Sequence, residues 1–388
     1  MTQGLLQGIT VIDLTRVLAG PYCTMMMAEM GAEIIKVERP KIGDDSRAIG
    51  PFLEDRSAYF MSLNRGKKSI ALDLKNPDDK ALLLRMLAQA DVLVENFRPG
   101  TMQKLGLDWD FLREQFPELI IASVSGFGQT GPYTDKPAYD MVVQAMGGIM
   151  SVTGEDGGNP VRVGSSIGDI VAGMFTAAGV NAALYRRSVT GKGERIDVAM
   201  LDSQVAILEN GIARYAALGT VPGPIGTRHP SIAPFQAFQA KDGYVIIAAG
   251  NDKLFARLCK TLDLNELPSD LRFSSNGKRC ENVLALQAVM EEKLAAKTVQ
   301  EWIGILEKQG IPTGPINKVD QVLQDPQVLA RNMVVTAPEK TIGELKMAGN
   351  PIKVDGMDDP TTRRPAPLLD ADRDEILNWL AKSEGGAA

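Results

Sequence analysis

The feature that most constrains this chain is an alternation. Over the first 200 residues, short β-branched runs recur: ITVIDL (9–14), IIKVE (34–38), SIALDLK (69–75), DVLVENF (91–97), PELIIASVSGFG (117–128) and RIDVAM (195–200). Between them lie helical patterns such as TMMMAEMG and DDKALLLRMLAQA. Runs this short and this apolar suit strands buried on both faces, and regular strand–helix alternation implies a parallel sheet. The expected fold is an open, doubly wound (Rossmann-like) α/β domain, which binds ligands at the carboxyl ends of its strands.

Local signals sharpen that reading. Gly31 stops the first helix, and Met25, Met26, Met27 and Met30 are expected in its packed face. Asn76-Pro77 opens the next helix, with Asp78 and Asp79 in its first turn. From 219 to 234 the chain becomes a Gly/Pro-rich linker. FQAFQA and GYVIIAAG then flank Lys241-Asp242-Gly243, a hairpin signal. Helices are expected over 252–262, 283–296 and 299–309.

At 388 residues the chain exceeds what one hydrophobic core usually supports. The expected division is a large domain over 1–218, the linker at 219–234, and a smaller α+β domain over 235–325. A return to the large domain follows over 326–388. That return should hold one short strand (NPIKVDG, 350–356), a Pro-rich crossing (RRPAPLL, 363–369) and a last helix (DRDEILNWLAK, 372–382).

Composition excludes several classes. A net charge of −6 argues against nucleic acid as a partner. No basic, apolar leader opens the sequence, and Ile170–Leu184 reads as too short and too rich in Gly and Ala for a membrane span. Cys23, Cys259 and Cys280 have neither metal-ligand spacing nor the number for a disulfide framework. The expectation is a cytoplasmic enzyme with no metal, no nucleic-acid or membrane partner and no permanently bound cofactor.

The chemistry concentrates in VRVGSSIGDIVAGMFTAAGVNAALY (161–185). Gly164-x-Ser166-x-Gly168 has the spacing of a hydrolase nucleophile elbow. Such a serine needs a late histidine base, yet the one histidine, His229, falls in the Gly/Pro-rich stretch. Gly126-x-Gly128-x-x-Gly131 has dinucleotide-loop spacing, but Pro132 follows and no helix starts there. Asp169 is the remaining candidate. A carboxylate in a helix's first turn is most simply a dipole partner. Against that, its neighbours are small, and the apolar helix behind it sets it at the edge of a low-dielectric site. The helix N-terminus is expected to keep it ionised, ready to attack an activated carbonyl. Basic residues also recur near strand ends: Arg39, Lys67, Lys68, Lys75, Arg98 and Lys104. Many of these positions could fall on one rim, suited to a phosphate-bearing ligand.

As a set, several stretches resemble the family III CoA-transferases. They are GITVIDLTRVLAGP, MGAEIIKVERP, NRGKKSIALDLK, DVLVENFRPG, SVSGFGQTGP, YDMVVQAMGG, GSSIGD, RIDVAMLD, GIPTGPINKVDQVLQDPQV and GNPIKVDG. The resemblance spans nearly the whole chain. It implies that Asp169 is the nucleophile, forming first an aspartyl anhydride with the donor acyl group and then an aspartyl-CoA thioester. It implies coenzyme A contacts at Leu18, Arg39, Leu72, Asp73, Leu74, Lys75, Asn96, Phe97, Arg98, Lys104 and Tyr139. It further implies acyl-CoA and a small carboxylic acid as substrates, and a homodimer of two interlocked, ring-like chains. Leu18 and Arg16 stand where the formyl-CoA branch has glutamine and histidine, and Lys104 replaces an arginine. That branch's glycine-rich loop in the small domain is missing here, and PLLDADRDEIL lacks its Gly-Glu-His-Thr. The wording is nearest the branch using oxalate with acetyl-CoA, and users of succinate, itaconate or glutarate share much of it.

Overall fold

A computed structural model describes residues 4–339 and 343–385. Each short apolar run contributes a strand to one sheet: β1 (Thr10–Asp13), β2 (Glu33–Glu38), β3 (Lys68–Ala71), β4 (Val92–Glu95), β5 (Ile120–Ser125) and β6 (Arg195–Ala199). Their order is β3-β2-β1-β4-β5-β6, and every neighbouring pair is parallel. This is the doubly wound order, in which the winding reverses between β1 and β4 and a crevice opens at their carboxyl ends.

The strands are apolar because they feed two cores. Ile12, Ile35, Ile70 and Leu93 face one side, and Val11, Ile34, Val92 and Val94 the other. On the second side lie α1 (Ala19–Glu29), through Cys23 and Met27, and α5 (Ile167–Thr190), through Ala177 and Val180. Between these helices in sequence come α2 (Ala58–Asn64), α3 (Pro77–Leu87) and α4 (Asp140–Met146); α3 covers the first side with Leu83, Met86 and Leu87. Met25, Met27 and Met30 are buried as expected. Asn76 caps α3, accepting from Asp78 N at 2.8 Å, with Pro77 at the first helical position.

Helix α5 corrects one expectation. It runs for 24 residues and is, by length and composition, apolar enough to cross a membrane. The Gly- and Ala-rich run is only its middle. Its buried residues, Gly168, Ala172, Gly173, Thr176, Ala177, Val180 and Ala183, recur at helical spacing and pack it against α1 and β5 as a core helix. Gly173 makes the close approach possible: a Cβ there would fall 2.6 Å from the Ala19 carbonyl oxygen. The helices α6 (Met200–Ile207) and α7 (Glu209–Leu218) follow β6.

The chain divides into two compact units. One comprises residues up to Met150, Arg162–Leu218 and the segment from Pro326; the other comprises Ser151–Val161 and Gly219–Asp325. The second unit has an antiparallel sheet of β7 (Phe235–Gln239), β8 (Tyr244–Ala248) and β9 (Thr313–Pro315), with β8 central. Its core joins Phe238, Val245 and Ile247 to α8 (Asp252–Thr261), α9 (Val283–Leu294) and α10 (Val299–Lys308).

Back in the first unit, β10 (Val334–Glu339) and β11 (Gly343–Ala348) form an antiparallel hairpin. Asn350–Gly356, expected as a strand, is not one. The pairing ends at Ala348, Pro351 has no N–H to donate, and Asn350 Oδ1 turns the chain by accepting from Ile352 N at 3.0 Å. The last helix, α11 (Arg373–Gly385), adds Ile376 and Leu380 to the α3 side of the sheet.

Candidate active site

Beyond β1 and β4 the chain continues as Leu14–Leu18 and Asn96–Arg98. Asn96 ties the two together, accepting from Arg16 N and donating to Arg16 O, both at 2.8 Å. These segments, with Gly126, Tyr139 and Asp169, wall a cavity of about 230 Å³. An adjoining groove of about 200 Å³ shares Arg16 and Phe97 with it and is lined by Arg39, Leu72, Asp73, Leu74 and Lys75. Strand β3 ends at Ala71, which frees Leu72–Lys75 to turn along this rim.

The crevice therefore gathers ten of the eleven expected coenzyme A contacts and Asp169. Lys104 stands apart: it is exposed on the single turn Thr101–Lys104 and lines neither space, although Thr101 of that turn reaches the groove. Arg39 is exposed and ion-paired to Asp45, which also binds Arg16 at 3.1 Å. Two other cations correct the idea of a basic rim. Lys67 is buried and pairs with Asp13 at 3.0 Å. Lys68, at the amino end of β3, pairs with Glu33 and Glu375. Lys67 is spent on a buried carboxylate and Lys68 opens its strand at the amino end, so neither offers a free charge to the crevice.

Asp169 lies in the first turn of α5, half-buried, with no Lys or Arg partner among the described residues. Its carboxyl is pushed up to about 7 by burial and then by the charge of Asp140; a hydrogen bond from the Ala19 backbone opposes the shift. The expectation that the helix N-terminus keeps it fully ionised is thus corrected. The reasons are burial and, second, Asp140, which already occupies that terminus. Its Oδ1 accepts from Gly168 N at 2.8 Å, it accepts again from Gln144 Nε2 at 2.8 Å, and Arg162 lies 3.6 Å away. Gly168 leaves room for this: a Cβ would fall 2.7 Å from Val143 and 3.0 Å from Asp140.

His229 and the Gly126–Gly131 loop have structural explanations. Ser166 precedes α5 and makes no capping bond through its side chain. His229 accepts from Ser231 N and packs on Phe235. Gly128 and Gly131 adopt left-handed φ of +84° and +94°, and Gly126 closes against Ala138, so the loop is a turn and not the start of a helix. No group of three or more His, Cys, Asp or Glu could hold a metal among the described residues.

Sequence reasoning missed Asp140, although Asp140 and Gln144 stand at the i,i+4 spacing that pairs them. It also missed Tyr59. This residue packs against the cluster of Leu18, Met25 and Leu63, and burial followed by the charge of Asp169 pushes its phenol up to about 12, keeping it a neutral donor. Glu95, at the end of β4, is pushed up to about 7 by burial and accepts from Phe97 N at 2.8 Å. Nothing local in the sequence marks either one.

A half-buried carboxylate without a cation, in the switch-point crevice of a doubly wound sheet, marks the ligand-binding end of an α/β fold. The chain belongs to CoA-transferase family III, whose profile matches residues 6–373. It is 46% identical over 369 residues to the acetyl-CoA:oxalate CoA-transferase of Acetobacter aceti, covering 95% of this chain and 94% of that one. To the human succinyl-CoA:glutarate CoA-transferase it is 39% identical over 98% of this chain and 87% of the other. Among solved structures, a CAIB/BAIF family protein from Brucella suis superposes with a TM-score of 0.86 at 38% identity, covering 98% of this chain and all of the other. The protein is a CoA-transferase, with CoA thioesters and carboxylic acids as its class of substrate.

Proposed function

We propose that the enzyme moves CoA from a short acyl-CoA (acetyl-, succinyl- or formyl-CoA) to a small dicarboxylate such as oxalate, by covalent catalysis on Asp169. The carrying observation is the unpaired Asp169 carboxyl in the wall of the crevice cavity. In its ionised form Asp169 attacks the thioester carbonyl, giving an aspartyl anhydride and CoA thiolate. The thiolate attacks the aspartyl carbonyl, releasing the donor acid and leaving an aspartyl-CoA thioester. The acceptor carboxylate attacks that thioester to form a second anhydride and expel the thiolate. Attack of the thiolate on the acceptor carbonyl yields the new acyl-CoA and frees Asp169. No step needs a histidine base. A carboxylate with a raised pKa is also a stronger nucleophile once ionised, which suits the first step.

The coenzyme A contacts divide between the two spaces in this reading. Leu18, Asn96, Phe97, Arg98 and Tyr139 face the reacting end, while Arg39 and Leu72–Lys75 serve the distal part. Lys104 supplies charge at longer range. The identity to an oxalate-named relative favours oxalate. A second reading, with a succinate, itaconate or glutarate-type acceptor, draws on the glutarate-named relative that matches over nearly the whole chain. The reading includes an interlocked homodimer. In its favour, Met174, Phe175, Tyr185, Val189, Ile212, Tyr215 and Leu218 lie exposed along α5 and α7.

Hydroxylamine trapping with acyl-CoA, read by mass spectrometry, should place the hydroxamate on Asp169, and Ser166→Ala should be labelled like wild type. A label elsewhere, or its loss in Ser166→Ala, would overturn the mechanism. A panel of acyl-CoA donors against oxalate, succinate, itaconate and glutarate, with the acyl-CoA products read by mass spectrometry, distinguishes the two acceptor readings.

A further inference from the structure

The crossing from β1 to α1 contains a residue under strain. Val17 has φ +66°, in the left-handed region that a β-branched side chain strongly disfavours. Such a conformation persists only where its surroundings over-determine it. Here the neighbours of Val17 are held on two sides. Asn96 grips both main-chain groups of Arg16, as described above. On the other side, Asp44 Oδ1 accepts from Val17 N at 3.0 Å. Asp44 is itself fixed: it accepts from Ser46 N and Ser46 Oγ at 2.8 Å and pairs with the fully buried Lys36 at 2.8 Å. Lys36 also donates to Thr15 O at 2.7 Å, so one lysine braces both the clamp and the segment it holds.

The strained segment leads directly to the reacting centre. Leu18 and the next residue, Ala19, line the cavity together with Asp169, and the Ala19 backbone is the group that opposes the upward shift of the Asp169 carboxyl. Relaxing Val17 toward an ordinary extended φ would re-aim both. We infer that Asp44 is a positioning residue for the transfer reaction, holding Val17 in its left-handed turn so that the Ala19 amide and Leu18 meet Asp169. It works by placing a backbone donor at the carboxylate, and the donor's place matters because small displacements at a reacting centre are costly in rate.

This inference rests on Asp169 as the acylated group. The test is the rate constant for acylation of Asp169 at saturating acyl-CoA in a single turnover, which counts only folded, occupied sites. Asp44→Ala should slow it at least about tenfold. Asp44→Asn, which keeps an oxygen to accept from Val17 N, should restore most of that loss. Hydrogen exchange at the Val17–Ala19 amides should quicken in Asp44→Ala and much less in Asp44→Asn. If wild type acylates Asp169 and Asp44→Ala does so at the same rate constant, the inference fails while the mechanism stands. If Asp44→Asn falls as far as Asp44→Ala, the clamp is not the cause, and the inference fails likewise. Wild type that carries no acyl group on Asp169 would overturn the mechanism and this inference with it.

Discussion

Two aspartates near the carboxyl end of the sheet meet burial in opposite ways. Asp13 closes β1 and is fully buried. Burial acts to raise its pKa, but Lys36, Lys67, Thr15 and Thr24 outweigh that and hold it well below the usual carboxylate range. Asp169 is less buried yet is pushed upward, because its burial is offset by no cation and the charge of Asp140 adds to it. The first is fully satisfied and serves the scaffold. The second is left short of partners, and in the proposed mechanism that deficit keeps it reactive. The cost of the arrangement around Asp13 falls on Lys67, whose ammonium is lowered to about 8, burial being the largest cause.

The contrast has opposite consequences for stability. A depressed pKa stabilises the fold above the ordinary value of 3.8, and that contribution is lost on acidification. A raised pKa does the reverse: Asp169 costs stability progressively as pH climbs from 3.8 through about 7. Asp169→Asn should therefore lose CoA transfer by more than about 10³-fold. It should also melt above wild type at pH 8 and level with it at pH 4, as thermal scans at the two values would show. Equal melting at pH 8 would erase the contrast.

On the other side, Lys67→Met strips Asp13 of one of its two cations and should destabilise by about 3–5 kcal/mol in urea unfolding. Adding Asp13→Asn to that variant should recover part of the loss. The smallest effect tests what makes Asp169 unusual. Asp140→Asn removes the facing charge but keeps an oxygen for Gly168 N. The pKa of Asp169 should drop, moving the acid limb of acylation to lower pH, with a rate at pH 6 about threefold above wild type. An unmoved limb would assign the whole shift to burial.

The strands were legible because burial on both faces leaves little room for polar residues, so Ile120–Ser125 or Val92–Glu95 can hardly be read as anything else. Adjacent lysines were not. Lys67 and Lys68 look alike in sequence, yet one turns into the Asp13 cluster and the other toward Glu33 and Glu375. The Asn350–Gly356 stretch misled because Ile352 and Val354 suggest a strand while Pro351 and the Asn350 turn forbid the pairing. At the site, the position of Asp169 in a helix's first turn was readable from the small residues before it. Its protonation was not, because that depends on burial and on Asp140, which lies 28 residues before Gly168 and is tied to it only by folding.

Gly173 stands one turn beyond Asp169 on the same face of α5, and the Ala19 carbonyl lies where its side chain would begin. The contact acts as a keyway between two helices that meet only through tertiary folding. Ala19 presents its carbonyl to Gly173 and its amide to Asp169, so one peptide neighbourhood is seated and aimed by the same helix. In the proposed mechanism the tolerance of the reaction is thereby delegated to a position with no functional group at all.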